Sequence, residues 1–157
     1  MESLDSLRQL FEYDYWANQE SLRSMTTLET LPERALKLAG HIVGAQRVWL
    51  GRLEAPGSAA PAPWSAVTLE EAGAAFSELR ERWNSFFGNL EPERVNQDLV
   101  YRNSKGAEFR TPVRDVLMQL VMHGAYHRGQ IAAVVRNAGG TPSSTDYITW
   151  VRKQRME

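Results

Sequence analysis

Apolar side chains recur along this chain with the 3.6-residue period of amphipathic helices, and the recurrence falls into four long blocks. From about Leu4 to Met25, residues Leu7, Phe11, Asp14 and Asn18 share one face, with Trp16 and Leu22 nearby. Asp14 and Asn18 thus sit on a stripe that otherwise reads as buried. Leu31-Pro32 opens a second helix, the proline being suited to the first helical position, where a missing N–H costs nothing. Leu38, His41, Ile42, Ala45, Val48 and Trp49 keep the period to about Leu53. Residues 55–67 (APGSAAPAPWSAV) form a connection rich in Pro, Ala and Ser. Trp64 within it is expected to pack back onto the helices.

Thr68 followed by Glu71 has the form of a capping box that opens a third helix. Ala72, Phe76, Leu79, Trp83, Phe86, Phe87 and Leu90 give it a heavy apolar face, and Pro92 ends it. Residues 98–102 and 108–110 flank the turn-rich Asn103-Ser104-Lys105-Gly106, the pattern of a small β-hairpin. Thr111-Pro112 starts a fourth helix, with Asp115 in the first turn, where the helix dipole favours an anion. Val113, Val116, Leu117, Leu120, His123, His127, Ile131 and Val134 line its inner face to about Asn137, and Gly139-Gly140 closes it. Thr145-Asp146 caps a short last helix carrying Tyr147, Ile148, Trp150 and Val151. The expected fold is all-α: one domain over residues 1–157, an antiparallel four-helix bundle with a small β-hairpin before the last bundle helix and a short C-terminal helix.

Composition narrows the function more than the fold. An apolar share of 43% and a charged share of 24% suit a globular chain. A net charge of -1 without a basic cluster argues against nucleic acid and against an anionic membrane surface as partners. The chain contains no cysteine, which removes disulfides, thiolate ligands and a cysteine nucleophile, so any metal must be held by nitrogen and oxygen. The acidic start Met1-Glu2-Ser3-Leu4-Asp5 is not a secretory signal, and no apolar run approaches the ~20 residues that span a bilayer. A cytoplasmic location is the expectation.

All three histidines fall on these helices. His123 and His127 are one turn apart and project from one face, so two imidazoles can share an ion. His41 from the second helix would complete a tripod, although taken alone it reads as an ordinary core histidine. Two imidazoles facing a buried seam need strong partners, and a shared divalent cation is one. Gly124 stands where the zinc-protease pattern H-E-x-x-H has its glutamate, and the fourth helix has no Glu for a di-iron site. Gln119 and Gln130 lie at -4 from His123 and +3 from His127, placed to orient ligands or substrate or simply to form a polar edge. Tyr126 and Arg128 flank His127 and turn toward neighbouring helices or solvent. Asp14 and Asn18 are candidates to reach the site from the first helix, or else to end on a polar bundle edge.

Several segments together carry a likeness. They are Tyr15-Trp16-Ala17-Asn18, the run from His41 to Leu50, Thr111-Pro112, His123-Gly-Ala-Tyr-His127-Arg-Gly-Gln-Ile131 and Thr145-Asp146-Tyr147-Ile148. In this order the chain resembles the DinB/YfiT-like family of metal-binding four-helix bundles. The resemblance implies a three-histidine site at His41, His123 and His127. It also implies thiol-dependent transferases or isomerases that use bacillithiol or mycothiol, a damage-inducible role for many members, and frequent homodimers.

Three neutral imidazoles leave a metal ion its full charge and an open position, the arrangement of catalytic rather than structural zinc. The expected chemistry is a small-molecule thiol activated for attack on an electrophilic small-molecule substrate. Zinc or nickel comes first, with iron, manganese and copper also compatible with imidazole donors. Metal-dependent hydrolysis, a non-catalytic metal-binding stress protein, and a plain bundle with structural histidines are the alternatives.

Overall fold

The computed structural model of the chain describes residues 3–58 and 68–156. Four long helices are α1 (Leu4–Met25), α2 (Glu33–Glu54), α3 (Leu69–Asn89) and α4 (Val113–Asn137), followed by the short α5 (Tyr147–Gln154). Between α3 and α4 come a 3-10 turn (Pro92–Asn96) and the strands β1 (Asp98–Arg102) and β2 (Glu108–Pro112). The strands pair antiparallel from Asp98 opposite Pro112 to Arg102 opposite Glu108. Gly106 at φ +82 supplies the left-handed residue of the connecting turn. The predicted all-α fold with its hairpin is therefore what the chain adopts. Trp64 lies outside the described residues.

Local signals explain the helix ends. Ser3 caps α1 by accepting from the Ser6 amide. Thr68 and Glu71 bond reciprocally at the start of α3, the full capping box that their spacing predicts. Pro32 and Pro112 sit one residue earlier than expected, at the cap positions of α2 and α4 rather than inside the first turn. Thr111 and Pro112 also belong to β2, which runs directly into α4. At the far end of α4, Gly139 at φ +86 turns the chain.

Around the bundle the order is α1, α3, α2, α4. Arg8 reaches the Phe87 carbonyl and Gln19 the Gly73 carbonyl, so α1 and α3 are antiparallel. His41 meets His123 while Arg52 reaches the hairpin that feeds α4, so α2 and α4 are antiparallel as well. Asp14 pairs with Arg128 and Gly140 abuts Leu28, so α1 and α4 run in the same sense. Consequently α2 and α3 also share a direction. The 55–68 connection is long enough to return along a bundle of about 33 Å at ~1.5 Å per helical residue.

The buried seams run at steps of three and four residues. They are Leu7, Phe11, Asp14, Asn18 on α1; Ala39, Val43, Gln46, Leu50, Leu53 on α2; Ala72, Phe76, Leu79, Trp83, Phe87 on α3; and Leu117, Val121, Gly124, Arg128, Ile131, Val135 on α4. The α2 expectation is corrected here. Ile42 is buried as read, but Val43, Gln46 and Leu50 form the seam, while Ala45, Val48 and Trp49 are only partly covered and His41 is exposed. On α4, Val135 rather than Val134 is fully buried. Phe11 packs against Trp83 and Phe87 with ring centroids 4.5 and 5.1 Å apart.

One layer of this core is polar. Arg128 Nη1 donates to Asp14 Oδ1 at 2.6 Å and to Asn18 Oδ1 at 2.9 Å. Asn18 Nδ2 and Gln46 Nε2 donate to Asp14 Oδ2 at 3.0 and 2.7 Å. Trp83 Nε1 in turn donates to Gln46 Oε1 at 3.0 Å. Each of the four helices contributes to this layer, and Asp14, Asn18, Gln46 and Arg128 are all at most 4% exposed.

Removing the acid alone should leave a buried, uncompensated guanidinium. Asp14→Ala is expected to cost about 3–5 kcal/mol, whereas Asp14→Leu combined with Arg128→Met should recover most of that loss. Urea unfolding followed by circular dichroism measures both. Gly124 tests the same layer from another side: a Cβ there would lie 2.6 Å from Asp14 Oδ1 and 2.8 Å from Arg128 Nη1. Gly124→Ala should therefore cost about 1–3 kcal/mol in the same assay, despite its better helix propensity.

Candidate metal centre

The three histidines converge where α2 and α4 meet at the outer edge of the bundle. His123 and His127 lie one turn apart on α4, and His41 faces them from α2, with ring centroids 4.8 Å (His41–His123), 4.5 Å (His41–His127) and 4.4 Å (His123–His127) apart. One ring nitrogen from each falls within 4.8 Å of the others. The Nε2 atoms of His41 and His123 are 3.0 Å apart. No carboxylate joins the group among the described residues.

Helix geometry accounts for this placement. Arg128 points into the core, and its neighbour His127 is turned by about 100° from it, onto the α2-facing side of α4. His41 lies on the α4-facing side of α2, clear of the Val43–Gln46–Leu50 seam. The rings are thus half-buried or exposed rather than sunk in a closed core as the sequence suggested. An ion placed between them would be open to solutes from outside.

Protonation favours a cation. Burial, with His127 nearby, lowers the pKa of His41. Burial, with His127 and His41 nearby, lowers that of His123 to about 4 from an ordinary value of 6.5. Imidazoles that resist protonation keep lone pairs for a metal at neutral pH. His127 Nδ1–H donates to Gln130 Oε1 at 2.6 Å, which puts its free lone pair on Nε2. Three nitrogen donors with an orienting amide are a donor set that fits a borderline divalent ion.

The other candidate residues divide. Gln130 is brought to His127 as a second partner. Gln119 is exposed, one turn before His123. Asp14 and Asn18 are neither on a polar edge nor at the imidazoles: their carboxylate and amide are engaged by Arg128 and Gln46 inside the core. Tyr126 is 67% exposed with its ring edge against His127, while Arg128 turns inward to α1. Sequence reasoning passed over Gln46. Its signal was a polar residue on the Ala39–Val43–Leu50–Leu53 ladder, which the α2 reading had rotated away from the core.

Comparison with known proteins bears on the family and the fold of the chain. The family model described as the DinB family matches residues 4–156. The chain is 27% identical over 165 residues to Protein DinB of Bacillus subtilis (strain 168), covering 94% of this chain and 95% of that protein. It is also similar to the crystal structure of a DinB-like protein from Bacillus cereus ATCC 10987, with a TM-score of 0.70. That match covers 91% of this chain and 97% of the other at 17% identity, a likeness of fold.

The depressed His123 pKa makes the metal-free protein pH-sensitive in a defined direction. Unfolded, the ring takes a proton below 6.5; folded, it resists until about 4. The unfolded chain therefore binds more protons in that window, and stability should fall as pH drops through it. Urea midpoints of metal-free protein at pH 7 and 5 should show the decrease, and His123→Gln should reduce it. In a histidine NMR titration, His123 should protonate at a pH below its ordinary value. A midpoint at 6.5 or above would contradict this account of the cluster.

Proposed function

The chain belongs to the DinB family, and from that premise we propose that His41, His123 and His127 hold one divalent metal ion at an enzyme site. In this reading the enzyme joins a low-molecular-weight thiol of the bacillithiol or mycothiol type to an electrophilic small molecule. The convergence of three imidazole nitrogens from two helices within 4.8 Å, at an open edge of the bundle, carries the reading. Zinc or nickel is the ion of first choice. Held by His41, His123 and His127, it would supply the Lewis acidity that brings the pKa of a thiol or water toward neutrality.

The chain's own residues prepare that site. Gln130 holds His127 with Nε2 free. Lowered proton affinity keeps His41 and His123 available as ligands. Asp14, the acid from α1 that could have closed the shell, is committed to Arg128, which supports an open rather than a storage site. Because there is no cysteine, the sulfur must come from the cosubstrate. In the transfer the thiol proton passes to solvent, sulfur forms a bond to the electrophilic carbon, and the leaving group departs with its electron pair.

Protein purified without a histidine tag should contain about one ion per chain by elemental analysis. His41→Ala should abolish this while circular dichroism shows the helices intact. Gln130→Leu should weaken metal affinity about 10- to 100-fold. Fewer than ~0.2 ions per chain, unchanged by His123→Ala, would leave a plain bundle. Bacillithiol, mycothiol and glutathione should each be assayed with monochlorobimane. A rate that requires both thiol and metal supports the transferase, and none with any thiol turns the reading toward hydrolysis or metal binding without turnover.

A further inference from the structure

The α2 strip that carries His41 extends beyond the imidazoles. Ala45, Val48 and Arg52 follow His41 at steps of four, three and four residues, and so stay on one face. Antiparallel α4 lies alongside, with Gln119 one turn before His123. The strip ends at Arg52, about 16 Å along the axis from His41 at ~1.5 Å per residue.

Arg52 is held in place. Its guanidinium carbon lies 4.5 Å from the centre of the Trp49 ring and 5.0 Å from that of Tyr101. Its Nη2 donates to the Arg102 carbonyl at 3.0 Å. Trp49 and Tyr101 meet edge to face at 4.7 Å, and Phe109 stacks on Tyr101 at 5.8 Å. Two ring faces and a backbone carbonyl thus fix a side chain that would otherwise sample many rotamers.

What it lacks among the described residues is an anion. Among the described residues no carboxylate pairs with Arg52, and residues 59–67 contain no acid. Its neighbours differ: Arg82 pairs with Glu54 at 2.8 Å and Arg102 with Glu108 at 3.3 Å. An oriented guanidinium with four of its five N–H donors unspent is suited to an external carboxylate or phosphate.

We propose that Arg52 anchors the anionic end of a small molecule whose thiol end lies at the three histidines. The thiol end rests on the function proposed above; what is added is the substrate class, a thiol bearing a carboxylate or phosphate. Taking off the reach of the arginine side chain back toward Trp49, the two ends of such a ligand are about 10 Å apart.

A suitable probe is 8-mercaptooctanoate, with neutral 8-mercaptooctanol as the control of equal length. In the zinc-loaded, nitrogen-15-labelled protein, the acid should shift the Arg52 Nε–Hε resonance saturably. It should also bind about tenfold or more tightly than the alcohol, as expected for a hydrogen-bonded charge pair. Arg52→Gln should erase that advantage while leaving metal content and the affinity for the alcohol unchanged. Equal binding of acid and alcohol by the unaltered protein, or an advantage that survives Arg52→Gln, would overturn the anchor. The thiol end is read separately, from the absorption spectrum of cobalt-loaded protein. An Arg52 shift with plain octanoate but no spectral change with any thiol would overturn the thiol reading and support an anion site. No Arg52 shift with the acid would overturn the anchor, whatever the cobalt spectrum does.

Discussion

At the centre of the bundle the Asp14 carboxylate accepts hydrogen bonds from Asn18, Gln46 and Arg128, and through Gln46 the chain of bonds reaches Trp83. An ionised pair this deep is strongly disfavoured unless each charge meets the other at close range and its remaining atoms find donors or acceptors. Asp14 is fully provided for. Arg128 is less so: its Nε and Nη2 have no hydrogen-bond partner among the described residues, and its guanidinium carbon lies 5.5 Å from the Tyr13 ring centre. Burial works against the Arg128 charge, but Asp14, with Tyr13 beside it, more than offsets this, so the pKa is raised. The layer is therefore intolerant of rearrangement. Slipping any one helix by a turn would strand a charge or an amide in an apolar environment.

That intolerance bears directly on the imidazoles. Arg128 and His127 are consecutive, so locking Arg128 onto Asp14 fixes the rotation of α4 and with it the direction of His127 and His123. Gly124, between the two histidines in sequence, lets the Asp14 carboxylate occupy the space that a Cβ on α4 would take. On α2, Gln46 belongs to the same layer, and His41 is displaced from it by five residues, on the outward side. The polar core thus acts as a jig. It sets two helices in register so that their outer faces bring three ring nitrogens together at the surface, where solutes have access.

The division of labour separates stability from chemistry. The core keeps its charges paired internally, and the candidate metal centre draws only on residues that the core does not need. Gln130 tunes His127 from the same helix, and Arg52 stands at the hairpin end of the α2 strip, braced by aromatic rings from β1 and α2. Substitutions at the imidazoles should therefore affect binding far more than folding, and substitutions in the Asp14 layer should do the reverse.

Helix number, approximate limits and the α3 capping box were written in the chain, because period, capping signals, prolines and the terminal glycine act over a few residues. The His123/His127 pair was equally visible, since i and i+4 share a face in any helix. The rotation of α2 was not, because both of its sides carry small or apolar residues and only the neighbours choose between them. Asp14 gave a similar ambiguity: as a sequence feature it could serve a metal or an edge, and packing against Arg128 decided for the core. The meeting of His41 with the α4 pair lies at the border of the two. The resemblance to a metal-binding family made it expected, but whether side chains 82 residues apart in sequence touch depends on how two helices are registered. That register comes from the buried polar layer, whose energy exists only once all four helices are assembled.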